Sequence, residues 1–356
     1  MTPSPTLSFQ LATTNQREEW DNYVSTHEQA TAYHKFAWLL AVKNAYGHAI
    51  FGVIARETPT NKVVGVFPAI LMKAPIIGRQ LCSLPYCDVG YPVANSPEII
   101  REMQSFLETQ QIKHSSQNFE IRDIAETPTE ATQLQHKKVR MLLPLPESSE
   151  TLLASFKSKL RSQVRKAEKN GLEVKVGNTQ QLINEFYDVY ARNMRDLGSP
   201  VHAKKWFEHI ASAYTDSCII SVVYKGDTPI GAGLVIKNGK HASIPWASTL
   251  REFNPLAPNM MLYWSLLAHC ADSGITEFDF GRSTFEEGTY RFKKQWGATP
   301  QLLNWKKLDK NNQYVKEKEH SQTPSKLRPL IENVWRKLPL GLTITTGSVI
   351  RPYISL

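Results

Sequence analysis

The stretch FDFGRSTFEEGTYRFKKQWGATPQLLNW (278–305) decides the fold of this chain. ITEFDF (275–280), which leads into it, alternates apolar and polar residues as a half-buried strand does, and QLLNWKKL (301–308) predicts a second strand. The linker between them is charged and carries four large aromatic residues. Such rings disfavour the alternative of a solvated connector. The stretch therefore predicts a functional site held between two strands of an α/β sheet.

The bulk composition predicts a folded protein with two domains. Its 356 residues exceed one typical core of about 150 residues. Hydrophobic residues make up 41% and charged residues 21% of the chain, as in folded proteins. No apolar run approaches the ~20 residues that cross a bilayer, and the N-terminus lacks the pattern of a secretory signal. We therefore expect a cytoplasmic protein.

The four cysteines and the net charge limit the classes of partner. Cys82, Cys87, Cys218 and Cys270 form no C-x-x-C pair, so we expect reduced thiols and neither metal nor cofactor. The formal net charge of +9 favours anionic partners, such as phosphates, nucleic acid or an acidic membrane face.

The order of predicted elements repeats along the chain. Each half reads as helix, strand, turn, strand, helix and strand, and the hairpin VVYKGDTPIGAGLVI (222–236) mirrors FGVIARETPTNKVVGVFPAIL (51–71). This repeat predicts two copies of one α/β fold with a cleft between them. We place the first domain at 1–149, the second at 150–310, and a C-terminal segment at 311–356 with an amphipathic helix over Lys326–Leu338 and an apolar tail.

Two basic segments are candidate binding surfaces. In the predicted helix 151–170, Lys157, Arg161, Arg165 and Lys169 recur at spacings of four. They form either a solvated face or a surface that pairs with phosphates. The segment 324–356 either packs on the second domain or makes peripheral contact with the inner face of a membrane.

The sequence provides no evident nucleophile. It shows no G-x-S-x-G elbow, no glycine-rich P-loop, no dinucleotide fingerprint and no helical His pair for a metal. A site with cations but no nucleophile suits direct transfer of an activated acyl group to an amine. A Lys or Arg would stabilise the oxyanion, and Asp279 or Glu286 would take the amine proton.

The repeat, the basic helix and the 278–305 stretch resemble the Fem-type (FemAB) aminoacyl transferases, whose halves have the GNAT acyltransferase fold. The resemblance is strongest over 150–308, which is similar to the BioF2-like acetyltransferase domain, and YRFKKQWGA (290–298) matches the family's Phe-Lys-x-x-aromatic-Gly pattern. It implies tandem GNAT-like domains with mixed, mostly antiparallel sheets, and an acyl-transfer site at Phe292 and Lys293. LGSPV (197–201) and IPWAS (244–248) resemble a subgroup associated with XrtA/PEP-CTERM exosortase systems and exopolysaccharide genes.

We therefore expect an N-acyltransferase that uses aminoacyl-tRNA and acts on a nucleotide- or lipid-linked precursor of peptidoglycan or exopolysaccharide in cell-envelope biogenesis. The alternatives are an acyl-CoA or acyl-carrier-protein donor on the same fold, and a non-catalytic basic scaffold. The expected catalytic residues are Lys293, Phe292, Asp279 and Glu286. The expected substrate-binding residues are Arg161, Arg165, Arg282, Arg291, Lys294, Tyr290 and Trp246, together with Tyr86 and Asp88 of the loop 83–92.

Overall fold

The computed structural model describes residues 6–75, 78–125, 129–315 and 327–356. It divides into two compact units. The first unit comprises Met1–Thr129, Leu302–Glu319 and Tyr353–Leu356, and the second comprises Glu130–Gln301 and His320–Pro352.

The elements of the first unit come mainly from the N-terminal third of the chain. They are β1 (Leu7–Leu11), α1 (Arg17–Thr26), α2 (Phe36–Tyr46), β2 (Ala49–Ile50), β3 (Val53–Glu57), β4 (Lys62–Phe67), β5 (Ile70–Ala74), β6 (Gly78–Cys82), β7 (Val93–Ala94), α3 (Pro97–Lys113) and β8 (Ser116–Ile124).

The second unit holds most of the helices. Its elements are β9 (Lys138–Pro144), α4 (Ser149–Ser155), α5 (Ser158–Lys169), β10 (Leu172–Gly177), α6 (Gln180–Leu197), α7 (Lys204–Tyr214), β11 (Cys218–Lys225), β12 (Thr228–Asn238), β13 (His241–Thr249), α8 (Pro258–Asp272), β14 (Glu277–Thr284), α9 (Gly288–Gln295), α10 (Leu327–Lys337) and α11 (Leu340–Ile350). The strand β15 (Thr299–Asp309) begins in this unit and continues into the first.

Mostly antiparallel sheets form the centre of each unit. The first unit has one sheet in the order β1-β3-β4-β7 and another in the order β15-β8-β6-β5-β2. The second unit has the order β10-β11-β12-β13-β14-β9. Among the described strands, one pair in each unit is parallel: β6 with β8, and β13 with β14. In both pairs a helix separates the two strands along the chain, because parallel neighbours need a crossover connection. The predicted α/β fold with mixed, mostly antiparallel sheets is confirmed.

Two predicted elements are each divided in the structure. The helix predicted over 151–170 is α4 followed by α5, because Phe156 and Lys157 have extended backbone angles. Phe156 is buried there, with its ring 5.5 Å from that of Trp296. The second strand of the predicted hairpin 51–71 is β4 followed by β5, and the break contains Pro68, which has no N–H for a sheet ladder.

The domain boundary that we predicted at residue 150 stays a prediction. In the compact units, residues 130–149 group with the second half of the chain. The cause is β9, which pairs antiparallel with β14 from Glu277–Pro144 to Thr284–Lys138.

The C-terminal helices α10 and α11 pack against α6 of the second unit. The predicted apolar tail is thus largely helical, and the predicted helix start at Lys326 lies outside the described residues. Two glycines permit close contact: a Cβ on Gly198 would lie 2.8 Å from the Cβ of Glu332, and one on Gly347 would lie 2.7 Å from the backbone nitrogen of Val201. Within the described ranges, no helix is long and apolar enough to span a bilayer.

Two glycines of α11 provide a matched test of this packing. Gly347→Ala should lower the free energy of unfolding by about 1–3 kcal/mol, because the new methyl group would press on the Val201 backbone. Gly341→Ala should change it by less than about 1 kcal/mol, since a Cβ there meets nothing within 4 Å. Urea denaturation measures both values, and equal stabilities would contradict the packing of α11 on Val201.

Candidate active site

A β-bulge in β14 shapes the centre of the candidate site. The register of β14 against β9 shifts between Asp279 and Arg282, and Gly281 has a φ of +72°, which favours glycine. The bulge presents two carbonyl oxygens to α9. Nζ of Lys293 donates hydrogen bonds to O of Gly281 at 3.0 Å and to O of Arg282 at 2.8 Å.

Lys293 is held in place by this contact and by its burial. Its exposed fraction is 7%, which is low for a lysine. The bulge itself is fixed by Asp279, which accepts a hydrogen bond from N of Gly281 at 2.8 Å and lies 3.6 Å from the guanidinium of Arg140. The positive charge of Lys293 therefore occupies a defined position next to the bulge.

The sheet opens beside Lys293. The parallel pairing of β13 with β14 covers three residues of each strand, His241–Ser243 and Glu277–Asp279. Beyond that point β13 continues along β12 as far as Thr249, while β14 continues along β9. The two strands part, and the C-terminal end of β13 borders a pocket.

This pocket has a volume of about 380 Å³, within the usual range for small-molecule sites. All of its lining residues belong to the second unit. They are Asn193, Leu197, Ala247, Ser248, Thr249, Asn259, Tyr263, Gly288, Thr289, Phe292 and Lys293. The expected catalytic residues Phe292 and Lys293 thus lie on one wall of one pocket.

The pocket combines an aromatic side with a polar side. The ring of Tyr263 lies 5.0 Å from that of Phe292, and burial raises the pKa of Tyr263 well above its usual value, so its hydroxyl stays protonated. On the polar side, Nδ2 of Asn193 donates to Oγ of Ser248 at 3.1 Å. Asn259 lies in the first turn of α8, where the helix dipole adds positive potential to that of Lys293.

The two expected proton acceptors lie outside this lining. Asp279 is buried and bound to Arg140 and Gly281. Glu286 is exposed, has a φ of +61° and accepts a hydrogen bond from Gln135 at 3.3 Å. No carboxylate occurs among the eleven residues that line the pocket in the described part of the chain.

The two expected phosphate-binding arginines have different surroundings. Arg161 is partly buried, and its guanidinium donates to the carbonyls of Ala154 and Phe156 at 3.1 Å, which caps the end of α4. Arg165 is exposed. It belongs to a set of exposed cations on and next to α5, which we call the α5 basic surface: Lys157, Lys159, Arg165, Lys166 and Lys169.

The remaining substrate-binding candidates of the second unit are absent from the lining of this pocket. Arg282 is half-buried, and Arg291 is exposed. Nζ of Lys294 lies 5.4 Å from the ring centre of the buried Tyr290. Trp246 packs on Phe207 with ring centres 5.0 Å apart.

Tyr86 and Asp88 are both in the first unit and have structural contacts there. Tyr86 is buried with a φ of +67°, and its backbone nitrogen donates to O of Ser355 at 2.6 Å. The backbone carbonyl of Asp88 accepts from Nε1 of Trp305 at 2.9 Å.

Sequence reasoning missed the polar wall of the pocket. Asn193, Thr249, Asn259 and Thr289 come from four different elements that are far apart in the chain. Ser248 lies within the IPWAS motif but was not singled out. The sequence signal for this wall was the position of Ser248 and Thr249 at the end of a strand that precedes a helix, where functional residues often lie.

Comparisons with known proteins identify the type of domain that contains this pocket. Residues 154–294 match the family model described as an acetyltransferase (GNAT) domain, and this range includes the whole pocket lining. No curated protein matches the chain significantly in sequence.

Three solved structures illustrate the similarity of fold. FemX is 15% identical, with 83% of this chain and 95% of that chain covered and a TM-score of 0.66. The C-terminal domain (DUF2156) of a putative lysylphosphatidylglycerol synthetase from Agrobacterium fabrum is 13% identical, with 81% and 91% covered and a TM-score of 0.52. L-PGS from Bacillus licheniformis is 13% identical, with 83% and 92% covered and a TM-score of 0.51.

These likenesses concern the fold, and the domain match adds the class of reaction. The chain is an acyltransferase with a GNAT-type domain and a Fem-like fold, as predicted.

The contact between Lys293 and the bulge predicts a loss of stability. Lys293→Met should lower the free energy of unfolding by about 1–3 kcal/mol, because the buried carbonyl of Gly281 and the partly buried carbonyl of Arg282 lose their donor. The neighbouring Lys294→Met, at an exposed position, should change it by less than about 0.5 kcal/mol. Guanidinium denaturation measures both, and a Lys293 variant as stable as wild type would show that the bulge does not hold the ammonium.

Proposed function

We propose that this protein transfers an activated acyl group to an amine in the pocket lined by Lys293. One observation carries the proposal: a lysine ammonium, fixed by two backbone carbonyls, lines a pocket within the matched acetyltransferase domain. A carbonyl attacked by an amine becomes a tetrahedral oxyanion. A fixed positive charge beside that oxygen stabilises this state more than the neutral carbonyl and so accelerates the reaction.

The lining residues favour direct attack by the amine. The one hydroxyl with a described partner in the pocket, that of Ser248, is bonded to the amide of Asn193, and no His or Cys occurs among the described lining residues. The amine nitrogen therefore forms the new C–N bond itself. The bond from the carbonyl to the donor's oxygen or sulfur breaks, and the amine proton leaves to solvent or to the departing group. The roles of Asp279 and Glu286 as proton acceptors stay predictions, and this route does not require them.

We propose aminoacyl-tRNA as the donor. The α5 basic surface supports this choice, because five exposed cations suit a polyanionic backbone. α5 packs against α8, and Asn259 and Tyr263 of α8 line the pocket. The surface and the pocket thus share one supporting helix.

The acceptor that we propose is an amine on a cell-envelope precursor. This part rests on the resemblance of YRFKKQWGA and the basic helix to the Fem-type transferases. The narrower exopolysaccharide setting rests on the resemblance of three segments to the exosortase-associated subgroup: LGSPV (197–201), IPWAS (244–248) and DFGRSTFEEGTYRFKKQWGA (279–298).

Lys293→Met should reduce kcat by about 10²–10³-fold, the usual cost of losing one oxyanion donor. Lys294→Met serves as the control and should retain kcat within a few-fold, since Lys294 is exposed and does not line the pocket. Steady-state transfer of a radiolabelled acyl group measures both, at a temperature where circular dichroism shows both variants folded. A folded Lys293 variant with the wild-type kcat would refute this role.

The α5 basic surface should set the affinity for tRNA. Replacing Arg165, Lys166 and Lys169 by Ala should weaken tRNA binding and lower the slope of log Kd against log salt by about 0.7 for each phosphate that the variant no longer neutralises. A variant with Ala at the exposed first-unit positions Lys43, Lys62 and Lys113 should bind like wild type. Filter binding over a salt series gives these slopes.

RNase treatment of an active cell extract distinguishes the donors. Loss of transfer after RNase supports aminoacyl-tRNA. Transfer that survives RNase, together with equal slopes for the two triple variants, would replace it with an acyl thioester.

A further inference from the structure

The helix α10 presents its apolar side to solvent. Leu330, Ile331 and Val334 fall on one side of the helix by their spacing and have exposed fractions of 61%, 61% and 55%. The opposite side makes the contact with the protein. There, Glu332 meets Gly198, and the guanidinium of Arg336 donates to O of Leu197 at 3.4 Å. A helix that packs only within its own protein normally buries its apolar side. In α10 the apolar side faces solvent and the polar side faces the protein, which is the reverse.

The next helix, α11, repeats this arrangement. Its buried positions are Thr343 and Gly347, the latter against Val201. Leu342, Val349 and Ile350 have exposed fractions of 49%, 64% and 40%. The segment 338–350, LPLGLTITTGSVI, carries no charged side chain. Both helices therefore pack on α6 and turn large apolar side chains away from it, which is unusual for a surface that contacts only water.

We propose that α10 and α11 form a docking surface for an anionic lipid bilayer. Charge selects this occupant. The exposed Lys337 flanks the apolar side of α10, whereas Arg336 lies on the protein-contacting side, where it pairs with Glu332 at 3.6 Å. The segment 333–356 carries cations but no carboxylate side chain. Amphipathic helices with apolar residues on one side and cations beside them bind at the boundary of headgroups and acyl chains. Pairing of two copies through this surface would bring together chains that each carry a formal charge of +9, and this repulsion opposes self-association.

The helix that carries the docking surface adjoins the proposed acyl-transfer pocket. Leu197 lines the pocket, is 55% exposed, and has its carbonyl bound by Arg336 on the protein-contacting side of α10. A bilayer on the apolar side of α10 would thus be separated from Leu197 by one helix diameter, roughly 10 Å. This extension rests on the proposed function, and it selects an acceptor amine carried by a membrane-anchored amphiphile rather than one free in solution.

Vesicle flotation of the full chain, without any acyl donor, tests the docking surface separately from the transfer reaction. Wild type should float with vesicles of phosphatidylcholine and phosphatidylglycerol, and less with phosphatidylcholine alone. The double variant Ile331→Glu, Val334→Glu should bind the anionic vesicles about tenfold more weakly or worse, because carboxylates replace inserted side chains and meet like charge. Both positions are exposed, so the variant should keep its wild-type melting temperature.

The control is Ile112→Glu, which alters an isolated exposed residue of α3 in the first unit, 62% exposed, and should leave vesicle binding unchanged. Absence of wild-type binding to the anionic vesicles, or equal binding by the double variant, would overturn the proposal. Sedimentation equilibrium provides a second reading. A wild-type dimer that the double variant dissociates would assign the surface to a second copy instead.

Discussion

The hydrogen bonds from Lys293 to the carbonyls of Gly281 and Arg282 are the contact on which the candidate site depends. In a regular strand, two successive carbonyls point to opposite edges of the strand, so they could not both face one ammonium group. The bulge, which Gly281 permits and Asp279 fixes, directs them to the side chain of a helix instead. One local irregularity of the backbone therefore positions a buried positive charge, and the proposed chemistry requires that position to be defined before the substrate binds.

The parting of β13 from β14 supplies the space next to this charge. Three residue pairs join β13 and β14 at one end. After these pairs, among the described strands, β13 pairs only with β12 and β14 pairs only with β9, so the two strands separate. Because each strand is supported on its other side, the opening does not depend on a flexible loop. α8 and α9 then close the pocket with Tyr263, Phe292 and Lys293. The same unit carries the α5 basic surface and the apolar sides of α10 and α11. This arrangement supports the proposal that a polyanionic donor and a membrane-anchored acceptor meet at this pocket.

Strand alternation was sufficient to predict the strands on both sides of the site, since it is a property of adjacent residues. The expectation for Phe292 and Lys293 came from the resemblance of YRFKKQWGA to the Fem-type transferases, and both residues lie in the pocket lining. Local pattern could not predict the polar wall, because Asn193 and Ser248 meet only when α6 packs on β13. Charge spacing alone also could not reveal the capping contacts of Arg161, whose guanidinium donates to carbonyls at the end of α4. These contacts depend on the break at Phe156, which sequence periodicity did not reveal, and the role of Arg161 in substrate binding stays a prediction.

The most direct test is a crystal structure with a stable donor analogue, in which an amide replaces the reactive ester of an aminoacyl-nucleoside. We expect the acyl carbonyl oxygen to lie about 2.7–3.1 Å from Nζ of Lys293, between the end of β13 and α9. An acyl group bound outside this pocket, or a carbonyl oxygen directed away from Lys293, would contradict it.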